Sequence, residues 1–185
     1  MSGVNPAPTG SATQPRSNRA RTVGLVVAAA TIAFDQLSKS LVVAHIGADR
    51  EVHIVGSLRL IRRFNTGMAF SKGSGSPVVG WFVGIVVVVL AVWVLRTLWR
   101  EPGTLGAPTV GYGAALGALL GGALGNKIDR LIRNNGAVVD FVDVGFWPVF
   151  NVADAALSLA CVALVLLSFR PDAVQRSAAD NGTRK

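Results

Sequence analysis

The sequence is poor in the residues that most enzymes use for chemistry. Its 185 residues include one cysteine and two histidines, and only 15% are charged. A lone Cys161 excludes an internal disulfide, and no Cys/His spacing around it suggests a zinc site. His45 and His53 stand apart from any H-E-x-x-H pattern, and no serine-nucleophile motif or G-x-G-D is present. Zinc hydrolysis and Ser/His or Cys/His catalysis therefore have no foothold, and no metal or cofactor is implied. The shortage of charge also argues against a freely soluble domain.

What the chain does contain is apolar residues, 51% of the total, with a mean hydropathy of +0.49. They gather into four blocks, Val23–Ile46, Val78–Leu98, Val110–Ile128 and Phe150–Phe169. Each approaches the roughly 20 residues a helix needs to cross ~30 Å of hydrocarbon. The fold class expected is an all-α membrane protein with four transmembrane helices. Residues 1–22 and 171–185 are polar and read as disordered cytoplasmic tails, leaving 23–170 as the folded domain. The net charge of +8 fits juxtamembrane Lys and Arg facing anionic lipid, not a nucleic-acid partner. Nine basic residues fall on the tail side and eight on the other, with Lys39 inside the first block. The cluster Arg16, Arg19, Arg21 before the first block favours both termini inside.

In the first loop, "EVHIVGSLRLIRRF" alternates apolar and polar residues about a Gly-Ser, the pattern of a small antiparallel hairpin at the membrane surface. In the third block, Gly113, Gly117, Gly121 and Gly125 recur every four residues and form a bare stripe on one helical face. Such stripes let helices approach closely in lipid.

Polar residues interrupt this apolar chain at a few places. Asp35 and Lys39 are one turn apart, spaced for an ion pair. Asn65 lies in the first loop. Asn126, Asp129 and Arg130 end the third block, and Asp140, Asn151 and Asp154 flank the start of the fourth. Of these, Asn126, Arg130, Asp140, Asn151 and Asp154 can converge on one polar pocket at the outer interface. Two neighbouring carboxylates split their pKa values, so that one takes a proton from water while the other donates to a carbonyl oxygen. On residues alone, a catalytic pair and a proton or ion pathway are both open. A small four-span proton-coupled transporter is the alternative function, although no internal repeat is evident.

The motifs "DQLSK", "FNTGMAF", "GGALGNKIDRL", "VVDFVDV" and "FNVAD" occur in that order across residues 35–154. Together they resemble the lipoprotein signal peptidases (signal peptidase II) of bacteria. The resemblance implies an aspartic endopeptidase of the cytoplasmic membrane that removes signal peptides from diacylglyceryl-modified prolipoproteins, cutting just before the lipidated cysteine. It implies Asp140 and Asp154 as the catalytic pair. Asn65, Asn126, Arg130 and Asn151 would bind substrate, with Asp35, Lys39 and Asp129 supporting. It also implies four membrane helices with an extracytoplasmic β-cradle built from the first loop. Membrane lipid and lipidated prolipoproteins are the expected partners, and activity as a monomer is expected. Asp129 stays open as a rival member of the pair, and Asp129–Arg130 reads as a local pair.

Overall fold

The computed structural model describes residues 15–66, 77–99, 109–133 and 136–168. Residues 1–14 of the expected N-terminal tail, the expected tail at 171–185, most of "FNTGMAF" and most of the second loop lie outside the described residues. Seven elements follow in order: α1 (Pro15–His45), β1 (Val52–Val55), β2 (Leu58–Asn65), α2 (Pro77–Leu98), α3 (Val110–Ile132), β3 (Val138–Asp143) and α4 (Val152–Ser168). The protein is mostly helical with one small sheet. Among the described residues one helix, Asn18–His45, is long and apolar enough by itself to cross a membrane. Helix α1 begins at Pro15, so residues 15–22, which composition reads as tail, are helical. Proline is well suited to a first helical position, since its missing N–H would have no partner there.

Helix α3 is the centre of the bundle, and its glycines explain why. A Cβ on Gly113 would meet the carbonyl of Ala20, and one on Gly117 would meet the carbonyl of Gly24. At Gly121 it would lie 2.8 Å from the Ala28 carbonyl, and at Gly125 2.7 Å from Asp35 Oδ2. The stripe read from the sequence is thus the seam between α3 and α1 within one chain. Gly122 performs the same service on the other side, where a Cβ would come within 2.6 Å of the Ala153 carbonyl of α4. Leu116, Leu119 and Leu120 fill the remaining space with Val94, Leu98 and Ala160 from α2 and α4.

The sheet runs β1-β2-β3, antiparallel throughout. The β1–β2 hairpin is the one the alternating pattern anticipates, and Gly56 turns it with a φ of 56°. β3 corrects two expectations. The cradle is not built from the first loop alone, because its third strand comes from the segment between α3 and α4. Asp140, which the sequence places in the loop between the third and fourth blocks, therefore sits within a strand. "VVDFVD" is buried on both faces, so it lacks the polar/apolar alternation by which half-buried strands are recognised. Beyond β3, Phe150 returns to bridge Val142: the Phe150 N–H donates to the Val142 carbonyl at 3.1 Å, and the Phe150 carbonyl accepts the Val142 N–H in return at 2.8 Å. This bridge delivers the start of α4 against β3.

Candidate active site

Asn151 precedes the first residue of α4 and acts as its N-cap. Its Oδ1 accepts the Asp154 N–H at 3.0 Å, and its own N–H donates to Asp154 Oδ2 at 3.2 Å. This is a reciprocal capping box with aspartate in the third helical position. The capping box fixes Asp154 in the first turn of α4, where the helix dipole favours a negative charge. The Asp35 carboxylate reaches across from α1 to the same helix end, its Oδ1 accepting the Ala153 N–H at 2.9 Å. Asp154 is thus a side chain that the N-terminus of a helix requires, which offsets the cost of placing it beside apolar sequence.

Asn151 also joins the two carboxylates of interest. Its Nδ2 donates to Asp140 Oδ1 at 2.7 Å. The other Asp140 oxygen accepts from Asn65 Nδ2 at 3.0 Å. Asn65 sits at the end of β2, in register beside β3, so the sheet pairing places the amide on the carboxylate. Asp140 is only 4% exposed. Burial raises its pKa above the usual carboxylate value, and the nearby negative charge of Asp154 adds to the rise, against the lowering pull of the two amides.

Asn126 occupies the centre of the site. Its Nδ2 donates to Asp154 Oδ1 at 2.8 Å. Its Oδ1 accepts from Asn151 Nδ2 at 3.1 Å and from Lys39 Nζ at 3.0 Å. Lys39 is fully buried, and its ammonium bridges Asp35 Oδ2 at 2.7 Å and Asp129 Oδ2 at 3.1 Å. The i, i+4 pair expected from sequence is present and forms part of a larger buried network. A buried ammonium needs this many partners to remain charged.

Asp129 is fully buried and its oxygens are committed elsewhere. Oδ2 accepts the Val139 N–H at 3.1 Å, while Oδ1 accepts from Arg133 Nε at 3.0 Å and Gln36 Nε2 at 3.2 Å. This carboxylate pins β3 to α3 and neutralises Lys39. The expected Asp129–Arg130 pairing is not found. Arg130 instead donates to the Gly136 carbonyl at 3.2 Å, bracing the turn into β3. Sequence reading also missed Gln36 and Arg133 as members of the network. Gln36 Nε2 bonds to Asp35, Asp129 and the Gly125 carbonyl together. Its position beside Asp35 in "DQLSK" was the available signal.

The outcome is a pair of aspartates, Asp140 and Asp154, held by a shared asparagine and unequal in surroundings. Such a pair can share a proton and run acid–base chemistry on water and a carbonyl group. Asp143 takes no part. It faces away across the sheet, bonded to Arg59 at 2.9 Å and to the Gly145 N–H at 2.8 Å. These contacts lower the pKa of Asp143, the Gly145 N–H most of all.

Comparison with known proteins places this arrangement. Residues 27–170 match the family profile described as signal peptidase (SPase) II. The chain is 41% identical to a lipoprotein signal peptidase of Rhodococcus jostii, over 91% of this chain and 85% of that one. It is 38% identical to the lipoprotein signal peptidase of Mycobacterium avium, over 87% of each. A solved bacterial membrane enzyme superimposes with a TM-score of 0.69 at 22% identity, covering 82% of this chain and 95% of its own, a likeness of fold.

Proposed function

The chain belongs to the signal peptidase II family, and from that membership we propose that it is an aspartic endopeptidase of the membrane. Its substrates are diacylglyceryl-modified prolipoproteins, cut just before the lipidated cysteine. Asp140 and Asp154 form the catalytic pair. One activates water for attack on the scissile carbonyl, and the other protonates the developing oxyanion. Asn126 and Asn151 hold the pair in place, and Asn65 meets Asp140 at the rim, where substrate enters. Arg130 orients the substrate backbone from the turn after α3. A site walled by apolar helices keeps bulk water out, which strengthens these charge interactions.

The observation that carries this reading is the Asn151 bridge. One side chain contacts Asp140 on β3 and caps the helix that bears Asp154, in a chain whose residues 27–170 match the family. Four spans, with both termini cytoplasmic and the pair near the outer interface, complete the proposal. Residues 23–170 form the catalytic domain between polar tails and act as a monomer. The acyl chains of the substrate lie between helices in the outer leaflet, near the exposed Leu159 and Val162 of α4.

Reconstitution in lipid with a diacylglyceryl prolipoprotein tests this. Wild type is expected to release the signal peptide, and Asp140→Asn and Asp154→Asn to release none while still expressing and folding. Cleavage at wild-type rate by either variant removes that residue from the pair. Absence of cleavage by wild type refutes the substrate class.

A further inference from the structure

We propose that Arg21 and Trp99 form a headgroup site for one anionic phospholipid, at the end of the bundle opposite the aspartate pair. The site goes beyond the endopeptidase reading and does not depend on it.

Its position follows from helix geometry. Arg21 and Lys39 both lie on α1, eighteen residues apart, a rise of about 27 Å. That nearly spans the ~30 Å hydrocarbon core. With Lys39 in the polar network at one interface, Arg21 reaches the other. Glycine packing builds the local frame. Ala20 is fully buried, with its carbonyl against Gly113 of α3, and a Cβ on Gly24 would lie 3.0 Å from the Leu98 side chain of α2. Trp99 follows Leu98, and its N–H donates to the Leu95 carbonyl at 3.0 Å, so the last turn of α2 carries its ring. The guanidinium carbon of Arg21 lies 4.8 Å from the centroid of that ring, a cation–π stack.

The stack orients the guanidinium but leaves its donors unspent. A guanidinium carries five N–H donors and no acceptor. Arg21 Nε is buried without an acceptor, and among the described residues it is the one buried side-chain polar atom in that state. Among those residues no hydrogen bond or ion pair engages the rest of the group either. A buried donor left unmatched is costly, and the planar fork fits a phosphate with two parallel bonds.

Two observations make that phosphate a lipid's. Leu25, one turn along α1 from Arg21, and Leu95, one turn back along α2 from Trp99, are both exposed. Apolar surface for acyl chains therefore continues from the guanidinium toward the middle of the bilayer. The charge balance then selects an anionic headgroup. The tail side of the chain carries nine basic residues against three acidic ones, Glu101, Asp172 and Asp180, and such an excess attracts anionic lipid over zwitterionic lipid.

Native mass spectrometry of the full chain in neutral detergent tests this, by counting lipids bound during titration with phosphatidylglycerol or phosphatidylcholine of identical acyl chains. Wild type is expected to bind its first phosphatidylglycerol about tenfold more tightly than phosphatidylcholine. Arg21→Gln should reduce that preference to about twofold or less. Arg19→Gln, at an exposed neighbour outside the stack, should keep it. Trp99→Leu leaves the charge but removes the stack, and should weaken the preference about threefold. Inorganic phosphate at the same concentration should not displace the lipid. An undiminished preference in Arg21→Gln or Trp99→Leu overturns the proposal. So does an equal loss in Arg19→Gln, which would show a diffuse basic belt, and so does displacement by inorganic phosphate, which would show a site for a free anion. Should Arg21→Gln fail to fold, Trp99→Leu decides alone. Binding is read without cleavage, so this proposal and the endopeptidase reading fail independently.

Discussion

Asp129 and Asp140 are both buried aspartates near the start of β3, and substitution should separate them cleanly. Consider Asp129→Ala against Asp140→Asn. Removing the Asp129 carboxylate leaves the buried Val139 N–H without its acceptor and takes a partner from Lys39, Arg133 and Gln36. An orphaned buried donor costs about 1–3 kcal/mol. Breaking a buried ion pair costs about 3–5 kcal/mol when it strands a charge. Lys39 is not stranded, because Asp35 remains 2.7 Å away, so the total belongs near the lower figure, about 3 kcal/mol. Asp140→Asn, in contrast, keeps the side-chain shape and can keep an amide oxygen on Asn151 Nδ2, a change of about 1 kcal/mol. Activity should run the opposite way. Asp140→Asn removes the titratable group and should abolish cleavage, while Asp129→Ala should retain measurable turnover at temperatures where it is folded. Thermal unfolding in detergent micelles, paired with cleavage assays well below the midpoint, measures both quantities. A folded Asp129→Ala enzyme as inert as Asp140→Asn would refute the assignment of Asp129 to structure.

Three further outcomes are expected. Gly117→Ala should destabilise the bundle by about 1–3 kcal/mol, because its Cβ meets the Gly24 carbonyl. Gly111→Ala, with Leu167 methyls 3.7 Å away, should instead be neutral or stabilising by up to about 1 kcal/mol from helix propensity; thermal unfolding compares the two. Asn151→Ser should keep the helix cap and most of the stability yet lose the Asp140 contact, lowering kcat/KM by roughly 10²-fold as the pair loses its alignment. Finally, the pKa of Asp140 is raised in the folded state, mainly by burial, so folding favours its protonated form. The stability this contributes is complete below the ordinary value of 3.8 and is lost as pH rises through the folded value. Asp140→Asn lacks that loss, so its stability relative to wild type should increase as pH rises from 3.8 to the folded value and level off beyond it; parallel curves across the range would count against a raised Asp140.

The sequence by itself determined the existence of the helices, the hairpin and most members of the polar cluster. Apolar blocks of membrane length, the alternation around Gly56 and the glycine spacing of α3 are local patterns, and local patterns follow from backbone geometry. It also marked Asp140 and Asp154, since carboxylates and amides beside apolar runs need a reason to be there. β3 was not legible, because a strand buried on both faces shows no alternation and its partner β2 is remote in sequence. The roles within the polar cluster were not legible either. Asp129 and Asp140 look equally eligible along the chain, and what separates them is which donors each carboxylate meets. Those donors come from α1, α3, β2, β3 and the cap of α4, brought together only when α3 packs its glycines against α1 and α4. Hydrogen-bond direction is a property of that assembled contact: a lysine on α1 fixes an amide on α3, and the amide fixes an aspartate on α4.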